Sequence, residues 1–409
     1  MSAPRTPLTD KTPWALVFLL GSLTAMGPLA VDMYLPSLPS ISADMHASPA
    51  AVSATLAAFF AGLGIGQFFY GPLSDRVGRR GPLIVGMAMF IAGAVGCALA
   101  PSVEWLVAAR FLQAIGGSAG QVVARASVRD RFHHQMAARV LSLLMLVIGL
   151  APIIAPIFGG YLLVVADWRA IFWFQAAVST GVAIWMLIRF DESRPEHILV
   201  QSKSENFISA YWALLKQPRV VGYTLSGAFN SGAFFSWLAF SPYVLMTVFG
   251  VSKQNFGWLF GLNAAGFILM SQVNAHLLKW FTPEEVLMRA RAASIVFAAI
   301  LVFMAVTGIG GMWGFLIPLY ITMGSFGLVG PNTQAAAMNA DPSRTGAVSS
   351  LTGGVSFGMG AFISSLAGIL HDGTVRPLAL LILVMILLSS AALYLMAKPM
   401  ETKHEPHGT

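Results

Sequence analysis

Charge is what this chain has least of. Only 10% of its 409 residues are Asp, Glu, Lys or Arg, against 56% hydrophobic. With a mean hydropathy of +0.74, that scarcity excludes an ordinary soluble domain. Cysteine is reduced to one, Cys97, which excludes an internal disulfide; set among Gly, Ala and Val, it reads as a packing residue. No nucleotide-binding loop is present, so ATP-driven transport finds no support. His133 and His134 are adjacent but lack zinc spacing and an attendant ligand set. Gly116-Gly117-Ser118-Ala119-Gly120 fits a GxSxG pattern, yet it lies inside an apolar helix and not at a strand-to-helix elbow. Nothing resembles a selectivity filter or a ring of repeated charges, as a channel would need. The chain is expected to be neither an enzyme nor a holder of metal or cofactor.

What is there is apolar length. Runs of about 20 residues recur, each long enough at ~1.5 Å per residue to cross a ~30 Å hydrocarbon core. Twelve are read: 14–38, 51–70, 81–100, 105–128, 140–165, 170–189, 219–248, 256–278, 292–310, 313–337, 345–370 and 377–397. The eleventh, rich in Gly and Ser, is the weakest by hydropathy. An even number puts both termini on one side. With the N-terminus in the cytoplasm, nineteen Lys and Arg fall in inner segments and three outside, Arg169, Lys253 and Arg376; the positive-inside rule selects that orientation. The net charge of +7 is thereby explained without nucleic acid, because it is spread over inner loops. The first span lacks a small-residue cleavage site after a short apolar core and is expected to be retained as a signal anchor.

The expected fold is an all-α membrane protein of two six-helix bundles. Residues 1–189 form the N-terminal bundle, 190–218 a cytoplasmic linker, and 219–409 the C-terminal bundle. The linker carries Asp191-Glu192-Ser193-Arg194-Pro195-Glu196 and Gln201-Ser202-Lys203-Ser204-Glu205, the longest polar interval. Its later part, Phe207 to Lys216, is patterned as an interfacial amphipathic helix. Two bundles around a central site follow the repeat logic of secondary transporters.

Asp32 stands out as the one carboxylate of seventeen inside an apolar span. Burying it there costs roughly 3 kcal/mol or more, which makes it a functional-site candidate. It lies seven residues before Pro39, ~10 Å below the outer end of the first span. Arg110 lies five residues past Trp105 in the oppositely directed fourth span, ~8 Å below its own outer end. The two charges are therefore at similar depth, and neighbouring helices would permit a direct or water-bridged pair. Arg125, near the inner end of the fourth span, reads as a snorkelling side chain.

The turn between the second and third spans reads Gly71-Pro72-Leu73-Ser74-Asp75-Arg76-Val77-Gly78-Arg79-Arg80. Its glycines permit a tight turn and its arginines hold it at the inner face. This spacing is closely similar to the signature loop of the major facilitator superfamily. Arg110-Phe111-Leu112-Gln113-Ala114-Ile115-Gly116-Gly117-Ser118 resembles that superfamily's RxxqGxg motif. Ala151-Pro152-Ile153-Ile154-Ala155-Pro156-Ile157-Phe158-Gly159-Gly160 resembles its antiporter motif, with alanines where two glycines are usual. Val31-Asp32-Met33-Tyr34-Leu35-Pro36, together with Val128-Arg129-Asp130-Arg131, is similar to the bicyclomycin-resistance/chloramphenicol-efflux group of drug:proton antiporters. The resemblance is strong over the first six spans and lies mainly in layout over the second six.

That resemblance implies a proton-coupled antiporter that exports small amphipathic drugs by alternating access across a bacterial inner (cytoplasmic) membrane. Its energy source would be the proton gradient, with no cofactor, and its working form a monomer. Asp32 and Arg110 would couple protons. Gly71, Asp75, Arg76, Gly78, Arg79 and Arg80 would form a conformational gate, Asp75 reaching the positive helix end at the start of the eleventh span. Pro152, Pro156, Gly159 and Gly160 would bend the fifth span and allow close helix approach. Met33, Tyr34, Gln113, Asn230, Phe234, Trp237 and Asn263 are assigned to the substrate cavity. The alternative is export of a small metabolite, amino-acid or nucleoside-like, with drug efflux incidental.

Overall fold

The structure, a computed structural model, describes residues 14–132, 134–193 and 207–397. His133 and the linker strings from Arg194 to Glu196 and Gln201 to Glu205 lie outside the described residues. Among the described residues every regular element is helical. The long helices are α1 (Trp14–Asp32), α3 (Pro49–Val77), α4 (Arg80–Ala98), α5 (Val103–Arg131), α6 (His134–Val165) and α7 (Arg169–Arg189). In the second half they are α9 (Pro218–Pro242), α10 (Lys253–Leu277), α11 (Pro283–Thr307), α12 (Gly311–Ala340), α13 (Thr345–Ile369) and α14 (Arg376–Ala392). Two short ones, α2 (Leu38–Asp44) and α8 (Phe207–Leu215), complete the set.

Helices are required here because a bilayer offers no water to unpaired backbone groups, so each span must satisfy its own. Their starts are marked by local chemistry. Ser48 accepts from the Ala51 amide ahead of Pro49, Ser102 from that of Trp105, and Thr282 with Glu285 forms a reciprocal capping box ahead of Pro283. Exposed tryptophans sit near helix ends: Trp14, Trp105, Trp173, Trp258, Trp280 and Trp313. That placement is the aromatic belt of a protein crossing two interfaces.

Eleven of the twelve spans are apolar enough to cross by hydropathy alone, the Gly- and Ser-rich eleventh among them. The exception is α5, whose 29 residues hold Glu104, Arg110, Arg125, Arg129, Asp130 and Arg131; its inner faces are buried against helices, not lipid. The first span is interrupted. After Asp32 the helix gives way to a 3-10 turn, Leu35–Ser37, before α2, because Pro36 and Pro39 cannot donate to a continuous ladder. The ninth span corrects the sequence reading. It starts at Pro283, nine residues before the predicted boundary, and so takes Arg291 out of the inner loop and into a helix where it is fully buried.

Packing groups the chain into two compact units. One holds the described residues up to Phe207 with Phe235–Ala265 and Phe357–Leu378; the other holds Ile208–Phe234, Gly266–Ser356 and the described residues from Ala379 onward. The first unit thus joins the N-terminal helices to the predicted outer ends of α9, α10 and α13. Phe60 of α3 lies 4.4 Å from Phe235 and 6.4 Å from Phe357, ring centre to ring centre.

Candidate functional site

Within the first unit, α5 carries a buried polar chain. Arg110 is fully buried. Its Nη1 donates to the Ala30 carbonyl at 3.1 Å and to Gln113 Oε1 at 2.8 Å. Gln113 Nε2 then donates to Gln175 Oε1 of α7 at 2.8 Å. The guanidinium also sits over the rings of Phe59 at 4.0 Å, Tyr34 at 4.5 Å and Phe172 at 5.7 Å, a desolvated cation–π setting. Arg110 thus reaches the first span two residues short of Asp32.

Arg110 and Asp32 lie at similar depth, as expected, and no direct ion pair joins them among the described residues. Arg110 reaches backbone, amide and aromatic faces, while Asp32, 4% exposed at the end of α1, has no donor or cation pairing with its carboxylate among the described residues. Three residues assigned to the substrate cavity are buried in this structure. Tyr34 is buried, its hydroxyl paired with Thr55 at 2.7 Å and its ring packed 5.5 Å from Phe172. Gln113 uses both ends of its amide internally, so it positions Arg110 and does not open on a cavity. Met33 is also fully buried, and its carbonyl lies where α6 passes.

That passage explains the proline- and glycine-rich run of α6. A Cβ on Gly159 would fall 2.3 Å from the Met33 carbonyl oxygen, and one on Gly160 2.4 Å from that of Lys253. Pro152 and Pro156 lie inside the same helix; Gly257 of α10 packs where any Cβ would be 2.5 Å from Ile157. The motif brings three helices to backbone contact, which no larger residue permits.

The turn after α3 is a network. Gly78 ends that helix at φ +92°, a conformation glycine adopts freely. Arg79 is buried; its Nε donates to Asp130 at 2.7 Å, and its Nη1 to Asp75 at 2.7 Å and Ser74 at 2.8 Å. Burial pulls that guanidinium's pKa down, but the bonds to Asp130 and Asp75 outweigh it and hold the group above its ordinary value. Glu192 accepts the backbone amides of Arg79 at 2.8 Å and Arg80 at 3.0 Å, capping the start of α4. Arg80 Nη2 donates to the Leu187 carbonyl at 3.0 Å. Gly71 and Arg76 lie in the last turns of α3, Arg76 exposed. Glu192 and Gln175 were not singled out from sequence, and Asp130 figured there only within a family-like string: all look like ordinary polar residues until the helices bring them to an arginine or an amide.

The second-half candidates separate. Trp237 is fully buried and stacked on Phe260 at 6.0 Å, and Phe234 packs 6.3 Å from Phe267. Asn263 is buried with its amide nitrogen unpartnered among the described residues. Asn230 lines a polar cavity, with Tyr223, Ser231, Thr333, Gln334 and Thr352 among its neighbours. Ser118 confirms the packing reading of the GxSxG string: it lies within α5 and donates to the Ile115 carbonyl at 2.7 Å. Arg125 Nε bonds back to the Gln121 carbonyl of its own helix at 3.0 Å.

A multi-pass helical protein with a buried carboxylate and an arginine-bearing fourth span belongs, on its sequence, to a known class. Residues 20–365 match the Major Facilitator Superfamily, and the chain is a member of it, a membrane transporter of small molecules. It is 34% identical to the uncharacterized MFS-type transporter YdgK of Bacillus subtilis (strain 168), over 95% of this chain and 97% of that one. It is 29% identical to a bicyclomycin resistance protein homolog of Haemophilus influenzae, over 94% and 96%. Multidrug resistance protein MdtL of Shigella dysenteriae matches at 30% over 66% of this chain and 68% of that one. Among solved structures, a D-xylose-proton symporter superposes with TM-score 0.73 at 15% identity, covering 93% and 96% of the two chains. A POT family transporter in complex with 5-aminolevulinic acid gives 0.75 at 12%, covering 94% and 96%. Those two likenesses show the fold.

Proposed function

We propose that this chain exports small amphipathic drugs from the cytoplasm in exchange for protons, as a monomer in a bacterial inner membrane with both termini cytoplasmic. The relatives named for bicyclomycin and multidrug resistance support the substrate class. The observation that carries the coupling is Asp32: a carboxylate buried at a helix break, without a pairing partner among the described residues, in a largely apolar span. The cost of burying an unpaired charge falls away when the group takes a proton, so proton gain and loss at Asp32 changes the energy of its surroundings by kilocalories. Arg110, held rigidly one helix away by Gln113 and three aromatic rings, supplies a fixed positive field for that change. In the cycle, Asp32 takes a proton from the outer side as substrate leaves and loses it inward as substrate binds. The proton gradient drives this and no cofactor enters.

The test is Asp32→Asn in proteoliposomes with an imposed pH gradient. Gradient-driven export should vanish while the protein keeps its melting temperature and still exchanges substrate without a gradient. Undiminished proton-coupled export by a folded Asp32→Asn protein defeats the reading.

A further inference from the structure

The second unit holds a charge that the proton-coupling reading does not use. Arg291 lies eight residues into α11, ~12 Å along the helix from its inner end, and is fully buried. Its Nη1 donates to Asn230 Oδ1 of α9 at 3.3 Å, while its Nε and Nη2 have no partner among the described residues. Among the described residues the carboxylates of this unit do not neutralise it. Asp341 is committed to Arg344, Ser343 and Gln217, Glu285 caps the start of α11, and no salt bridge to Arg291 forms among the described residues. An uncompensated guanidinium inside a membrane-spanning helix is expensive and marks a functional place by default.

Asn230 gives that charge a direction. An arginine can only donate, so the amide must turn its oxygen to Arg291 and keep its NH2 for elsewhere. Elsewhere is the cavity that Asn230 lines, of about 90 Å³, walled also by Tyr223, Thr333, Gln334, Thr352 and Ser356. That size is too small for a whole drug-sized molecule at ~300 Å³ or more and sufficient for one polar head. A donor backed by an unneutralised cation selects an anionic oxygen acceptor.

We propose that this cavity is the subsite for a carboxylate on the exported compound, with the Asn230 amide as the donor in contact and Arg291 as the charge behind it. The proposal rests on the exporter reading for its biological meaning, and it is tested by equilibrium binding without any gradient, so that its failure and the failure of proton coupling are separable. The probes are 1-naphthoate and its methyl ester, which share size and aromatic surface and differ in charge. The protein is the full chain in lipid nanodiscs.

Asn230→Asp is the decisive variant. It keeps the side-chain volume, gives Arg291 an ion-pair partner and so favours folding, but presents the cavity with a neutralised pair. Affinity for 1-naphthoate should fall at least tenfold, and affinity for the methyl ester should stay within threefold. Arg291→Met should show the same split and Arg291→Lys a smaller one; melting temperatures identify folded variants. Naphthoate binding within twofold of wild type in Asn230→Asp overturns the proposal, as does an equal loss for acid and ester.

Discussion

Replacing Gln113 by leucine isolates what holds Arg110 in place. Gln113 is fully buried and its amide is used twice, accepting from Arg110 Nη1 and donating to Gln175 Oε1, both at 2.8 Å. Leucine fills nearly the same volume, so the cavity contribution is small. The bond to the guanidinium is charge-assisted and contributes about 1.5–3 kcal/mol. The bond to Gln175 joins two neutral amides across membrane helices, where the measured average is ~0.6 kcal/mol. The sum predicts a loss of about 2–3.5 kcal/mol in reversible unfolding of the purified protein in bicelles. Arg110 would retain the Ala30 carbonyl and its aromatic faces, so the protein should fold. Gln175→Leu alone should cost only ~0.6 kcal/mol, and adding it to Gln113→Leu should cost almost nothing more, because the bond it breaks is already gone. A Gln113→Leu protein within ~0.5 kcal/mol of wild type, or a Gln175→Leu variant just as costly, would refute the assignment of Gln113 as the residue that positions Arg110.

Arg79→Met should destabilise by about 2 kcal/mol in the same unfolding assay. That is below the 3–5 kcal/mol of a wholly buried pair, since Asp130 and Asp75 keep 17% and 39% side-chain exposure; Arg79→Lys should recover only part, because an ammonium cannot reproduce the fork that reaches both carboxylates. Asp341 predicts an acid limb. Hydrogen bonds from Ser343 and Gln217, with Arg344 beside it, hold its carboxyl down to about 2 from 3.8, so its stabilisation is complete above pH 3.8 and is lost as pH falls toward 2. Unfolding midpoints between pH 5 and 2 should fall less steeply for Asp341→Asn than for wild type.

Much of the architecture was legible because its cause is local. Burial of some twenty apolar residues is a sum along the chain, so hydropathy found the spans, including the Gly-rich eleventh that α13 realises. It faltered where the sum misleads. The helix α11 begins nine residues before the predicted boundary because polar residues at its inner end still pack as helix. The motif at Pro152–Gly160 was legible as small-residue packing, and its contacts with Met33 and Lys253 show which helices it admits.

The functional residues divide in the same way. Composition and position singled out Asp32, since a charge in an apolar run is visible without coordinates, and the resemblance to family motifs singled out the arginine-rich turn and Arg110. Which partner each charge takes was not visible. Arg110 and Asp32 share a depth, yet the guanidinium faces Gln113 and three rings; Arg291 was read as one more inner-loop cation and is instead buried against Asn230; Asp130 and Glu192 bear on the Arg79 turn from 51 and 113 residues away. Depth along a helix follows from counting residues at a fixed rise. Partner choice follows from the rotation of each helix about its axis and the ångström-scale approach of its neighbours, which only the packed tertiary structure decides.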